Sequence, residues 1–217
     1  MSLTLAPMEI SYTGDPGFTL DTPEMILSDT GYTCVIGLNG SGKSSFGEAL
    51  AKSGKPGASK WYYLPQYLER FLFAENILDQ LSNLFMQKID STRLCQLLLE
   101  LGFANPDEMM EFPFILMSGG ERRRIALACA FYLDPEYLIL DEPDISVTTK
   151  ENMVLLAKIN NLRAANTRVI LITHNYEFVK DSSDLICLVD GHVDRIGLTK
   201  ELLALDSFDL ASYGVRF

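Results

Sequence analysis

The run Gly37-Leu38-Asn39-Gly40-Ser41-Gly42-Lys43-Ser44 sets three glycines, a lysine and a serine at a spacing suited to a polyphosphate. Glycine loses more chain entropy on folding than any other residue, roughly 0.5–1 kcal/mol against alanine in a regular element. A ligand lying against the backbone would offset that loss. The N–H groups around Gly37, Asn39, Gly40, Ser41 and Gly42 can turn inward without side-chain clash. Lys43 can reach the terminal phosphates, and the Ser44 hydroxyl, followed by Ser45, suits Mg²⁺. A second set of chemistry-bearing residues is the carboxylate pair Asp141-Glu142, which follows the apolar run Tyr137–Leu140. Asp141 is placed to hold the cation through water, and Glu142 to polarise an attacking water as a general base.

These residues need particular elements to hold them. Thr33–Gly37 reads as a short buried strand and residues 43–52 as a helix, which is the strand–loop–helix setting that a phosphate loop requires. Trp61–Gln66 reads as a strand halted by Pro65, and Glu75–Gly102 as helix in one or two pieces. "NPDE" (Asn105–Glu108) reads as a break. After Ser118 a helix places Ile125, Ala128, Cys129, Tyr132 and Leu133 on one stripe. Tyr137–Pro143 and Arg168–His174 read as further buried strands, with a helix over 150–163 between them. Asp184–Gly197 reads as a hairpin turning at Asp190–Gly191. Strands that alternate with helices and are apolar throughout predict a mainly parallel sheet covered on both faces, an α/β fold.

"MSGGERRRIALACAF" (Met117–Phe131) opens a second helix with a serine and two glycines, again suited to an anion. Here the sequence resembles the ATP-binding cassette (ABC) ATPases, whose signature reads leucine-serine-glycine-glycine-glutamine. Other elements follow in the family's order over about residues 8–205. Gln66 in "LPQ" is similar to the Q-loop glutamine, Asp141 and Glu142 to the Walker B aspartate and catalytic glutamate, and His174 in "LITHN" to the switch histidine. Tyr12 in "EISYTG" resembles the aromatic that stacks on adenine, with Phe18 competing for that place. The family's variant closest to "MSGGE" is the soluble molybdate-transport-associated or photorepair type.

The resemblance implies one P-loop NTPase domain over 1–217. A small N-terminal antiparallel β region and a compact helical subdomain at about 67–117 would be part of it. It implies ATP and Mg²⁺ as ligands, with Ser44, Gln66 and Asp141 around the metal. Lys43, Gln66, Glu142 and His174 would carry catalysis. Ser118, Gly119 and Gly120 would touch the γ-phosphate held by a partner cassette packed head to tail. The leading expectation is the ATP-binding subunit of an ABC transporter, cytoplasmic and held at the inner face of the membrane by a permease. The alternatives are a soluble tandem or paired cassette and a nucleotide-gated clamp with little turnover. Three features depart from the family: Thr148 stands where the loop after Walker B usually has aspartate, the stretch from Lys43 to Gln66 is short, and the helical region is compact.

Bulk properties set the remaining bounds. The 217 residues are 47% hydrophobic, enough for a sizeable core, and no apolar run approaches bilayer length. No secretory signal is evident at the start of the sequence. Cys34, Cys95, Cys129 and Cys187 lie scattered among apolar neighbours, which predicts buried reduced thiols and a cytosolic setting. The net charge of −11 disfavours nucleic acid as a partner. Arg122–Arg124, the dense basic cluster, reads as a solvated helix face.

Overall fold

A computed structural model describes residues 2–13, 17–53, 61–84, 88–144, 149–164 and 167–217. Among them are ten strands and eight α-helices. The strands are β1 (Leu3–Leu5), β2 (Met8–Tyr12), β3 (Phe18–Thr22), β4 (Met25–Leu27), β5 (Thr33–Ile36), β6 (Trp61–Leu64), β7 (Tyr137–Asp141), β8 (Arg168–Ile172), β9 (Asp184–Val189) and β10 (His192–Leu198). The helices are α1 (Lys43–Ser53), α2 (Ile77–Leu84), α3 (Ser91–Glu100), α4 (Pro106–Glu111), α5 (Gly119–Tyr132), α6 (Thr149–Ala164), α7 (Tyr176–Lys180) and α8 (Thr199–Leu203).

Eight strands form one sheet in the order β2-β3-β10-β9-β5-β8-β7-β6, and β1 pairs with β4 in a separate ribbon. The five strands from β9 to β6 in that order run parallel, as the apolar runs predict. The β9–β10 and β2–β3 pairs are antiparallel. The expected N-terminal β region is present, but β2 and β3 extend the main sheet through a parallel contact between Asp21 and His192. The β9–β10 hairpin turns at Asp190 and Gly191, both at positive φ (48° and 84°), the backbone that an Asp-Gly type I′ turn demands.

Side-chain alternation divides the core in two. Val35, Ile139, Ile170, Ile172, Ile186 and Leu188 point to the side of α1, where Phe46, Ala49 and Leu50 meet them along with Leu20, Met25 and Leu27. Cys34, Ile36, Leu138, Leu140, Leu171 and Cys187 point to the other side and pack with α5, α6 and the helices between β6 and α5. Helix α5 is the centre of that layer. It is buried on every side from Ile125 to Tyr132, where the sequence predicts a single stripe, because the sheet, α2 and α3 all press on it.

The "NPDE" segment starts a helix: Pro106 occupies the first turn of α4, where its missing N–H is no loss. All four cysteines are free. Cys34, Cys129 and Cys187 are buried, and Cys95 is half-buried. No helix among the described residues is long and apolar enough to cross a membrane. Thr148 lies outside the described residues.

Candidate active site

Four parallel strands deliver one group each to the same edge of the sheet. β5 leads into the glycine loop, β6 into Gln66, β7 into Asp141 and Glu142, and β8 into His174. The strand ends are level: Val35 pairs with Ile172, Asp141 with Ile172 and Leu64 with Leu140. Open α/β sheets bind ligands at this carboxyl edge.

The glycine loop turns with Ser41 N–H donating to the Leu38 carbonyl (3.1 Å) and enters α1 with Phe46 N–H donating to Gly42 (2.8 Å). Gly42 sits at φ +99°, and a Cβ there would lie 2.6 Å from Phe18 Cζ. The conformation favours glycine, and a Cβ there would push the Phe18 ring aside. Lys43 is 6% exposed. Its ammonium donates to the carbonyls of Gly37 (2.8 Å) and Leu38 (3.0 Å), so it caps its own loop. Burial pushes its pKa down, and the Glu142 and Asp141 carboxylates oppose that.

Asp141 is 1% exposed. Its Oδ2 accepts from the Tyr63 hydroxyl (2.7 Å), while Oδ1 is buried with no hydrogen-bond partner. Burial raises the carboxyl above its usual range, and the Ser44 and Tyr63 hydroxyls restrain the rise. The orphaned Oδ1 beside a serine hydroxyl fits a small hard cation. Mg²⁺ keeps several waters and takes few protein oxygens. No cluster of three His, Cys, Asp or Glu among the described residues could hold a metal alone, so phosphate oxygens and water would have to complete the shell.

Glu142 follows at φ +46°, a left-handed conformation rare for a side chain of this size. Its N–H still donates to Ile172 (2.9 Å), which anchors the bend. The bend turns the carboxylate into the cleft, where Oε2 accepts from Gln66 Nε2 (2.8 Å) and Oε1 lies 3.3 Å from His174 Nε2. The imidazole against it holds the Glu142 carboxyl below its ordinary value, with burial acting in the opposite direction. Glu142 is therefore ionised at neutral pH and sits between two residues from different strands.

Asn39, Gly40, Gly42, Lys43, Ser44, Ser45, Gln66, Glu142 and His174 line one cleft of about 930 Å³. Gly37 and Ser41 are buried and do not line it. Asp141 borders a neighbouring hollow with Ser44, Tyr63 and Gln66. Phe18 lines the cleft and Tyr12 does not; the two rings lie 5.9 Å apart. Ser118, Gly119 and Gly120 do not line the Lys43 cleft; Gly119 lines a neighbouring hollow with Gln66 and Tyr67. Ser118 and Glu121 form a reciprocal cap on α5, and a Cβ on Gly119 or Gly120 would meet nothing within 4 Å.

Two contributions escape sequence reasoning. Arg123, expected on a solvated face, is 5% exposed. Its guanidinium donates to the carbonyls of Pro65 (3.1 Å), Gln66 (2.9 Å) and Glu142 (3.3 Å), tying α5 to both loops. A run of three arginines carries no signal of which one turns inward. Replacing it with methionine keeps the stem and strands three carbonyls. Such hydrogen bonds contribute about 1.5–3 kcal/mol each. Arg123→Met should lower the melting temperature by about 4 °C or more and reduce ATP turnover more than ATP affinity. An unchanged melting curve and turnover would dismiss this role. The second contribution is Arg216 and Phe217, which also line the cleft.

The glycine loop, Gln66, Asp141, Glu142 and His174 all follow the ends of parallel strands at one edge of the sheet, an arrangement that defines a P-loop nucleoside triphosphatase. Comparison with known proteins narrows the class: the family model described as ABC transporter matches residues 20–145, and the chain belongs to that family, whose cassettes bind and hydrolyse ATP. A Pyrococcus horikoshii protein provisionally named an ABC transporter ATP-binding protein is 29% identical, over 86% of this chain and 79% of its own length. The energy-coupling factor transporter ATP-binding protein EcfA2 of Streptococcus agalactiae is also 29% identical, over 89% of this chain and 80% of its own length. The fold matches the dimeric post-hydrolysis structure of the ATP-binding cassette MJ0796 bound to ADP and Pi. That match has a TM-score of 0.77 at 17% identity and covers 92% of this chain and 99% of that one.

Proposed function

We propose that this chain is the ATP-hydrolysing subunit of a membrane transporter, acting in the cytoplasm as one half of a head-to-tail cassette pair. The observation that carries the reading is the single cleft in which Lys43 and Ser44 face Glu142, itself held by Gln66 and His174. On binding ATP, Lys43 exchanges the Gly37 and Leu38 carbonyls for terminal phosphate oxygens. The glycine-loop N–H groups and the N-terminus of α1 take the rest of the phosphate chain. Phe18, already in the cleft, is a better platform for adenine than Tyr12. Ser44, Asp141 and Gln66 would hold Mg²⁺, which when bound neutralises charge on the phosphate oxygens. Glu142 orients and polarises the attacking water. Gln66 Nε2 donates to Oε2 and keeps the carboxylate aimed at the terminal phosphate, with the His174 ring beside it.

The signature glycines support the pairing. Among the described residues nothing requires glycine at 119 or 120, since neither has a positive φ or a close neighbour. A close approach from outside, such as a phosphate held by a second cassette, gives them a use. The transporter reading draws on the relatives' names and on a hollow of about 430 Å³ lined by Tyr67, Leu72, Phe114 and Ile115. Large apolar side chains stand exposed around it, among them Ile115 (84%), Tyr67 (70%) and Leu116 (68%). Exposed apolar groups in such a cluster mark interaction surfaces. A membrane partner beside the Q-loop would sense the state of Gln66 directly.

Light scattering tests the pairing. With Glu142→Gln, the mass should be that of a monomer without nucleotide and of a dimer with Mg·ATP. A monomer under both conditions, with ATP shown to be bound, would defeat self-pairing.

A further inference from the structure

The 3₁₀ turn Leu210–Tyr213 ends at Gly214 (φ +77°), and the four residues that follow the turn run back to the end of β8. Tyr213 and Val215 are buried (8% and 5% exposed) and anchor the segment. Arg216 N–H donates to the His174 carbonyl (2.6 Å), and Tyr176 N–H donates to the Arg216 carbonyl (3.0 Å). Asn175 and Arg216 thereby form a one-residue parallel bridge. The Gly214 carbonyl lies 2.9 Å from His174 Nδ1. The Phe217 ring packs tilted against Tyr176, with centroids 4.9 Å apart. Backbone hydrogen bonds on both sides of Arg216 thus fix where its side chain starts.

That start is in the wall of the nucleotide cleft, which Arg216 shares with Lys43, Ser44, Glu142 and His174. Arg216 is exposed and has no ion pair with any described residue. The cleft also contains the carboxylates Glu142 and Asp144. A chain of net charge −11 that must take up a triphosphate needs local cations beyond one lysine. A guanidinium fork matches phosphate oxygens better than any other side chain. A carbonyl can only accept, so the contact with Gly214 requires the proton on Nδ1. His174 itself lines the cleft, with Nε2 buried 3.3 Å from Glu142 Oε1.

We propose that residues 214–217 are a working part of the nucleotide site: Arg216 binds the terminal phosphate from within the same chain, and the Gly214 carbonyl fixes the proton of His174 on Nδ1. This rests on the reading of the cleft as an ATP site. Binding of ADP and of a non-hydrolysable ATP analogue is measured for the wild type, Arg216→Ala and Arg216→Lys. Loss of a charge-assisted contact to the terminal phosphate should weaken analogue binding about tenfold or more, leave ADP within about twofold, and be partly restored by lysine. Equal losses for both nucleotides, or none, overturn the assignment of Arg216. If the wild type binds neither nucleotide, the ATP site itself is refuted; if it binds both and Arg216→Ala matches it, this proposal alone fails. Imidazole ¹⁵N shifts, recorded in the His192→Gln background at a pH where the ring is neutral, read the tautomer. A proton on Nδ1 is expected, and a ring protonated mainly on Nε2 overturns the role of Gly214.

Discussion

Glu142→Gln lowers ATP turnover by about 100-fold or more while Mg·ATP still binds. The substitution changes almost nothing but charge. The glutamine carbonyl can accept from Gln66 Nε2, as Oε2 does now at 2.8 Å. Its amide group can turn toward His174 Nε2, which has no other hydrogen bond. The backbone at φ +46° is equally open to either residue, so the fold and the cleft survive. What disappears is the negative oxygen that polarises water. Positioned general bases contribute about 10²–10⁴ in rate, and 100-fold corresponds to about 2.7 kcal/mol of barrier. The measurement is steady-state phosphate release beside equilibrium ATP binding. Turnover within a few-fold of wild type would strip Glu142 of the role. A parallel loss of ATP affinity would show that the carboxylate serves binding instead. The same variant removes the third expectation, a nucleotide-gated clamp, only if the wild type turns over measurably faster.

The parts of the site that the sequence reveals are those whose local chemistry is self-contained. Gly37–Ser44 needs only a strand before it and a helix after it, and β5 and α1 supply both. The centres of β7 and β8 are apolar on both faces because helices cover both sides, so they read as buried strands without any partner being known. The Asp190–Gly191 turn is equally local. The strand readings run past the observed ends, to Pro143 and His174, because no turn residue stops them earlier, while the backbone already bends away at Glu142. What stayed hidden depends on groups distant in sequence. Arg123 is buried because three carbonyls from Pro65, Gln66 and Glu142 converge on it. No spacing rule anticipates a convergence of backbone oxygens.

Segment 207–217 carries no motif for a similar reason. Its importance lies in where Gly214 and Arg216 come to rest, beside a histidine forty residues earlier. Gly214 did carry a faint signal, since a glycine just after an apolar turn often takes positive φ. Tyr12 and Phe18 could not be separated by sequence because both lie on the β2–β3 hairpin. Tyr12 and Phe18 sit opposite each other, and strand order separates them: β3 lies beside β10 while β2 is the sheet edge. Phe18 is drawn over Gly42, where the missing side chain makes room for its ring.

Lys43→Ala abolishes the stabilisation of this protein by nucleotide while leaving the nucleotide-free fold close to wild type. The two halves of that expectation come from the same geometry. In the absence of ligand, Lys43 bonds only to two carbonyls of its own loop. Lys43 lines the cleft and Leu38 is exposed, so water can replace the ammonium at the Leu38 carbonyl, while Gly37 is buried. Removing a buried ammonium also relieves the desolvation that depresses its pKa. In the bound state the same ammonium faces several phosphate oxygens at once, and the remaining loop amides cannot supply a full charge. A ligand at 100 times its dissociation constant stabilises the native state by about 2.7 kcal/mol. For a chain of this size that corresponds to a rise in melting temperature of about 5–10 °C. The wild type should show that rise with Mg·ATP, and Lys43→Ala should show almost none at the same concentration. A variant that melts as the wild type does, with and without nucleotide, would place the phosphates elsewhere. A variant already unfolded without nucleotide would show that the two loop carbonyls, and not the ligand, are the principal partners of Lys43.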